Sequence, residues 1–276
     1  MNYLTRDKIA DIIFLKLKDT EEVLKKHFDK TRQDIGYFYV DDLLPEELAK
    51  DIFDKFPHTK DIQVKKSIRE YKYVAAQMNK YHPLLEEIIY AFQDQRIVDL
   101  IAEICSCKDI KPDEHLYAGG ISMMGKGNYL NPHLDNSHDK DVKHWRVLNL
   151  LYYVTPNWKL ENGGNLEVWP KGLKNEPISI DAKFNRLVVM GTHKKSWHSV
   201  SKVKVDQIRC CISNYYFSSE PIDAEGSFHV TTFRGRPGQY FKDKILKLDS
   251  SIRMGVRKLF KKGIRENPHV YKKDKS

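Results

Sequence analysis

From residue 112 onward the sequence changes texture, and no other feature restricts the fold as much. Runs rich in β-formers at 117–123, 146–154, 165–169, 186–190, 199–203 and 208–217 alternate with Gly, Asn and Pro. Short strands separated by turn residues predict an all-β sandwich or barrel. The part before it is patterned differently. Ile13, Leu17, Leu24 and Phe28 recur at helical spacing, residues 36–40 read as a short strand, and Pro45 opens a second helix. Leu44, Leu48, Ile52 and Phe56 form the ridge of that helix, Pro57 ends it, and a further helical stretch covers 84–104. No repeat and no Ser/Gly-rich linker interrupts the chain.

The charge sits at one end. Residues 242–276 hold twelve Lys/Arg against four Asp/Glu, so this tail accounts for +8 of the net +9. Phe241, Ile245, Leu248, Ile252, Val256 and Leu259 or Phe260 form a single apolar stripe on a helix there. Arg253, Arg257, Lys258, Lys261 and Lys262 fall largely off the stripe, and Gly263 and Pro268 suggest a stop. The expectation is a helix docked on the core by its stripe with a solvated basic face. The competing reading makes that face a surface for nucleic acid, anionic lipid or an acidic substrate.

Composition excludes several classes. With 41% apolar and 31% charged residues the chain is neither a disordered polymer nor a membrane bundle. Its longest apolar stretch, 148–154 interrupted by Asn149, is far short of the roughly 18 residues a spanning helix needs. Arg6, Asp7 and Asp11 argue against a secretory leader. Cys105, Cys107, Cys210 and Cys211 lack both zinc-site and disulfide-framework spacing, and read as buried small hydrophobes in a reducing cytoplasm.

Chemistry concentrates in the β region. In the extended segment His133-Leu-Asp135 the imidazole and carboxylate point to one side. His198 opens another strand-like run. Two His and one carboxylate on one face of a metal leave the opposite positions open, the arrangement of non-haem Fe(II) oxygenases. Alone, His-x-Asp also fits an ordinary polar surface pair. Arg209 lies within the last β run, where burial is costly without an anion. Its guanidinium fork suits a carboxylate, of a ligand or of a protein Asp or Glu. His138 and His193 are read as exposed polar residues, and the four tryptophans as core packing.

Over 117–217 the sequence resembles the prolyl 4-hydroxylase type of Fe(II)/2-oxoglutarate oxygenase. The motifs occur in family order: Gly127, Leu130-x-x-His133-x-Asp135-Asn136, Arg146-x-x-x-Leu-Leu-Tyr-Tyr153, and Trp158. Gly163-Gly164-x-Leu166-x-x-Trp169-Pro170, Phe184-Asn-Arg-Leu-Val188, His198-Ser-Val and Arg209 follow. The resemblance implies a mainly β chain with a double-stranded β-helix, or jelly-roll, core. It divides the chain into helical support over 1–112, a core over 113–220 and a C-terminal extension over 221–276 with the basic amphipathic helix.

By the same resemblance His133, Asp135 and His198 are the Fe(II) ligands, and Arg209 and Tyr153 bind the far carboxylate of 2-oxoglutarate. Asn149 shares a strand face with Leu151 and Tyr153, so it is a further pocket candidate. Cys211 and Ser213 share the face of Arg209. Met123 and Met124 stand where many members carry a tyrosine. Dioxygen is the second cosubstrate, and ascorbate a candidate reductant. The implied reaction hydroxylates an unactivated C–H of an amino acid, a peptidyl residue or a small metabolite, releasing succinate and CO2. The alternatives are a nucleic-acid-modifying oxygenase and a metal-binding jelly roll without turnover.

Overall fold

The computed structural model describes residues 4–223, 226–260 and 270–272. It opens with α1 (Arg6–Thr31), which buries Ile13, Leu17, Leu24 and Phe28, the face its spacing predicts. Then come β1 (Tyr37–Val40) and α2 (Glu46–Asp54). A hairpin of β2 (Gln63–Lys66) and β3 (Glu70–Ala75) follows. The sequence reading assigned neither strand: β2 is short and polar, and the Tyr71 and Tyr73 alternation of β3 lies outside the β-rich region that begins after residue 112. The stretch expected as one helix over 84–104 is two, α3 (Pro83–Ala91) and α4 (Gln95–Cys105). Asp94 breaks it: its carboxylate accepts the Arg96 N–H at 2.9 Å, an N-cap that restarts the helix.

The β-rich region supplies β4 (Ile110–Pro112), β5 (Gly120–Met124), β6 (Tyr129–Leu134) and β7 (Trp145–Tyr153). It continues with β8 (Leu166–Val168), β9 (Ile178–Ile180), β10 (Arg186–Gly191) and β11 (His198–Val200). Last come β12 (Arg209–Ser218), β13 (Thr232–Phe233) and α5 (Tyr240–Leu259). The strands join antiparallel in the order β1-β10-β7-β12-β5-β3-β6-β11-β8-β9, with β13 on β6, β2 on β3 and β4 on β12. The sheet curls into the expected jelly roll.

Strand alternation sorts the two faces of the sheet. Leu148, Leu150 and Tyr152 on β7 and Leu187 and Val189 on β10 join the core cluster that also holds Ile13, Ile88 and Ile101 of the helices. The opposite face puts Tyr153, Val188, Met190 and Cys211 into a second cluster with Leu166, Val168 and Val200. Covering the outer face of the sheet with helices is stabilising, at about 25 cal/mol per Å² of apolar area buried.

The C-terminal helix overturns one expectation. Its buried residues are Leu246 and Ser250, whereas Phe241, Ile245, Leu248, Ile252 and Leu259 of the predicted docking stripe are exposed. Spacing defines an apolar face but not which face docks. Here polar contacts decide. Asp249 accepts from Arg69 at 2.9 Å and from Arg253 at 3.0 Å, Asp243 binds Arg234, and Ser250 accepts the Phe233 N–H at 3.2 Å. Arg253 and Arg257 therefore turn toward the body. Lys261, Lys262, Gly263 and Pro268 lie outside the described residues.

Candidate active site

The pairing of β6 with β11 sets His133 directly opposite His198. Their ring centroids are 4.1 Å apart, and Phe233 stacks on His133 at 5.1 Å. Each Nδ1–H donates to a backbone carbonyl, His133 to Asn131 at 3.0 Å and His198 to Ser196 at 2.9 Å. Those bonds fix the tautomer, so each Nε2 presents its lone pair inward. Asp135 follows β6, with Oδ1 3.6 Å from His133 Nε2 and Oδ2 3.7 Å from His198 Nε2. The ligand atoms of all three lie within 4.8 Å of one another, the only such His/Cys/Asp/Glu cluster among the described residues.

The electrostatics suit a cation at this point. Burial raises the Asp135 carboxyl, but His133, Arg146 and His198 outweigh it and hold the group far below the usual carboxylate range. Burial, then the neighbouring His133, pushes the His198 imidazole down to about 4, so it is neutral near pH 7. An anionic carboxylate and neutral imidazole are the states that bind a divalent metal.

Beside the triad lies a small cavity of about 110 Å³ whose lining includes Asn149, Leu151, Tyr153, Arg209, Cys211 and Ser213. Register explains the grouping: β12 pairs with β7 so that Cys211 faces Tyr153, and with β5 so that Arg209 faces Met124. Arg209 is 4% exposed and has no protein carboxylate partner among the described residues, which leaves the ligand-anion reading of the sequence standing. Gly164 makes room for it. Its φ is +69°, and a Cβ there would lie 3.2 Å from Arg209 Cδ.

Met124 lines this cavity as apolar wall, while Met123 packs in the helix-side core. The polar group of β5 that does reach the cavity is Ser122. Sequence inspection had passed over it, because only the inward-facing register singles it out.

Seven buried side-chain atoms lack a hydrogen-bond partner among the described residues, and five belong here: Asp135 Oδ2, Arg146 Nε, Asn149 Oδ1, Tyr153 Oη and Arg209 Nε. Native interiors leave few such atoms unpaired, so this concentration marks a site built around a polar ligand. The donor set fits a metal at the triad and a carboxylate at Arg209 and Tyr153.

A second, wider cavity of about 580 Å³ opens from the triad to solvent, with Arg146, Tyr117, Tyr215 and residues of β2, β3 and α5 around it. Arg146, quoted above only as part of a motif, sits 3.6 Å from Asp135 and 4.4 Å above the Tyr215 ring. The two other histidines need correction. His138 is not exposed: at 4% exposure it stacks on Phe228, held by its bridge to Trp145. His193 is half-buried, with its Nε2–H donating to the Ile35 carbonyl at 3.0 Å, outside the triad. Trp158 and Trp169 are buried and donate to Gly163 and Ser199, while Trp145 and Trp197 are half-buried.

Residues 119–217 match the profile of the 2OG-Fe(II) oxygenase superfamily. No curated protein matches the chain in sequence. Among solved structures, a prolyl-4-hydroxylase from Pseudomonas putida is similar with a TM-score of 0.54 at 13% identity, over 71% of this chain and 98% of that one. Prolyl 4-hydroxylases from Phytophthora capsici give a TM-score of 0.56 at 17% identity, over 94% of this chain and 79% of theirs. The α-ketoglutarate-dependent carbocyclase SnoK from nogalamycin biosynthesis gives 0.50 at 13% identity, over 78% and 89%. At these identities the structural likenesses establish the fold.

Proposed function

We propose that the chain is a 2OG-Fe(II) oxygenase, the superfamily whose profile its residues 119–217 match, and that it hydroxylates an unactivated C–H of an amino acid, a peptidyl residue or a small metabolite. The observation that carries this reading is the convergence of the unpaired atoms of Asp135, Asn149, Tyr153 and Arg209 beside two inward-facing imidazoles.

In this reading His133, Asp135 and His198 hold iron(II), and Arg209 and Tyr153 hold the far carboxylate of 2-oxoglutarate, with Asn149 alongside. Together the metal and cosubstrate supply dioxygen activation: one oxygen atom enters the substrate, the other leaves in succinate, and CO2 is released. The protein's work is placement. The Nδ1 bonds of His133 and His198 stop their rings from turning. Burial of Arg209 makes its pairing with a carboxylate strong and directional, so the bound keto acid is held in one orientation. Met124, Leu151 and Leu166 supply apolar wall to the small cavity. The helices α1 to α4 brace the sheet, the strands over 113–220 carry the chemistry, and α5 borders the mouth opposite the β2–β3 hairpin.

The similarity of fold to prolyl 4-hydroxylases motivates peptidyl substrates as the first to test, and the fold alone does not select among substrates. The test is substrate-independent at first. Aerobic protein with iron(II) and 2-oxoglutarate should release succinate slowly, and faster with a true substrate. No succinate above the rate of free iron, from protein with iron bound, would favour the module without turnover.

A further inference from the structure

The wide cavity in front of the triad is lined by six cationic side chains: Lys65, Arg69, Lys72, Arg146, Arg253 and Arg257. They come from three places that are remote in sequence, the β2–β3 hairpin, β7 and α5. Their partners are few. Lys72 meets Glu70 at 3.0 Å, and Asp249 is shared by Arg69 and Arg253. Arg146 lies 3.6 Å from Asp135, the carboxylate already committed to the triad. Lys65 and Arg257 have no carboxylate within ion-pair distance among the described residues. The contact of Arg257 is with His138 at 3.5 Å, which offers no formal negative charge.

The hairpin register makes this more pointed. Lys65 stands directly across from Lys72, and like charges at opposed strand positions destabilise a sheet. Burial pushes the Lys65 ammonium down, Lys72 pushes it the same way, and Glu70 opposes them without reversing the shift. On the other side of the opening, the inward turn of α5 brings Arg257 to the same cavity while leaving its apolar stripe wet. A cationic mouth that Glu70, Asp135 and Asp249 only partly balance, over a site for C–H chemistry, has one simple complement.

We propose that the substrate carries an anionic group, a carboxylate or a phosphate, which docks against Lys65 and Arg257 while its reacting C–H faces the His133–Asp135–His198 cluster. This rests on the oxygenase reading above and adds the substrate's charge to it. A positive mouth also attracts such a substrate from solution, and the attraction weakens as salt screens it. The body outside the tail carries only +1, which favours a compact anion at the mouth over a long nucleic-acid track.

The experiment uses full-length protein loaded anaerobically with iron(II) and 2-oxoglutarate. Four dye-labelled probes are titrated by anisotropy: a short blocked oligoglutamate, a blocked phosphoserine peptide, a blocked oligolysine and a short single-stranded oligonucleotide. The expected result is binding of one or both acidic peptides but not of oligolysine. Lys65→Glu with Arg257→Glu should weaken that binding by at least about tenfold. Neutral Lys65→Gln with Arg257→Gln should give an intermediate loss, and Lys26→Glu with Lys30→Glu on α1 no loss. The preferred peptide identifies the anion. Absence of acidic-peptide binding, binding equal to that of oligolysine, insensitivity to the double variants, or binding of the oligonucleotide alone would each overturn the proposal. Acidic-peptide binding that persists where the protein cannot be loaded with iron and 2-oxoglutarate supports the anion site while sinking the oxygenase reading.

Discussion

At the floor of the site, Asp135, Asn149, Tyr153 and Arg209 bury polar atoms that find no partner among the described residues. At the mouth, Arg69, Lys72 and Arg253 are each held by a carboxylate, and their side chains keep between a fifth and a third of their surface in water. The two regions answer to different physics. An unpaired buried polar atom costs about 1–3 kcal/mol, so four together persist only where a ligand repays them. These ion pairs at the mouth, partly open to solvent, contribute little to stability, roughly 0–1 kcal/mol each. They can be varied without unfolding the chain. The floor is thus fixed by the reaction, and the mouth is free to follow the substrate.

That contrast can be broken most sharply at the triad. His133→Ala, Asp135→Ala or His198→Ala should each reduce succinate release to background, whereas His193→Ala should retain it. Full turnover in His198→Ala with loss in His193→Ala would transfer the distal position to the other histidine. Arg209→Ala comes next. A charged hydrogen bond of about 1.5–3 kcal/mol predicts a rise of roughly 10- to 150-fold in the 2-oxoglutarate concentration for half-maximal succinate release. Arg209→Lys should recover part of it.

Gly164→Ala should act on the floor indirectly. A left-handed φ costs a non-glycine residue about 1–2 kcal/mol, read as a lower urea midpoint. Its Cβ should also press on Arg209 and raise the 2-oxoglutarate requirement. The smallest effect is expected at the mouth. Asp249→Asn releases Arg69 and Arg253 from their shared partner, lowering stability by under about 1 kcal/mol and leaving 2-oxoglutarate binding unchanged. Burial raises the Asp249 carboxyl, but Arg69 and Arg253 outweigh it and hold it below its ordinary 3.8. Its contribution is therefore present above that pH and lost as acid protonates the native carboxylate, a slope that Asp249→Asn should abolish. A change in 2-oxoglutarate affinity in Asp249→Asn would show that floor and mouth are not separable.

The same contrast decided what could be read from sequence. His133, Asn149, Tyr153 and Arg209 lie on strands and Asp135 directly follows β6, so a period of two predicts which of these side chains share a face. The mouth follows no such rule. Lys65 and Lys72 come together only through the pairing of β2 with β3, and they share a cavity with Arg257 only after α5 docks. The docking itself was misread, because an apolar stripe was assumed to face the core. Leu246 and Ser250, with the Asp249 and Asp243 ion pairs, won instead. His138 was misplaced for a related reason: Phe228, which covers it, is distant in sequence.

The central claim is that the triad and Arg209 form one site for iron(II) and 2-oxoglutarate. The direct measurement is a titration of 2-oxoglutarate into anaerobic protein loaded with iron(II), following the visible charge-transfer band of a chelated keto acid. The wild-type protein should develop the band at saturable, low concentrations. Arg209→Ala should bind iron equally well and need at least about tenfold more 2-oxoglutarate to reach the same intensity. Iron bound without a band at any concentration, or the same titration curve in Arg209→Ala, would contradict the account.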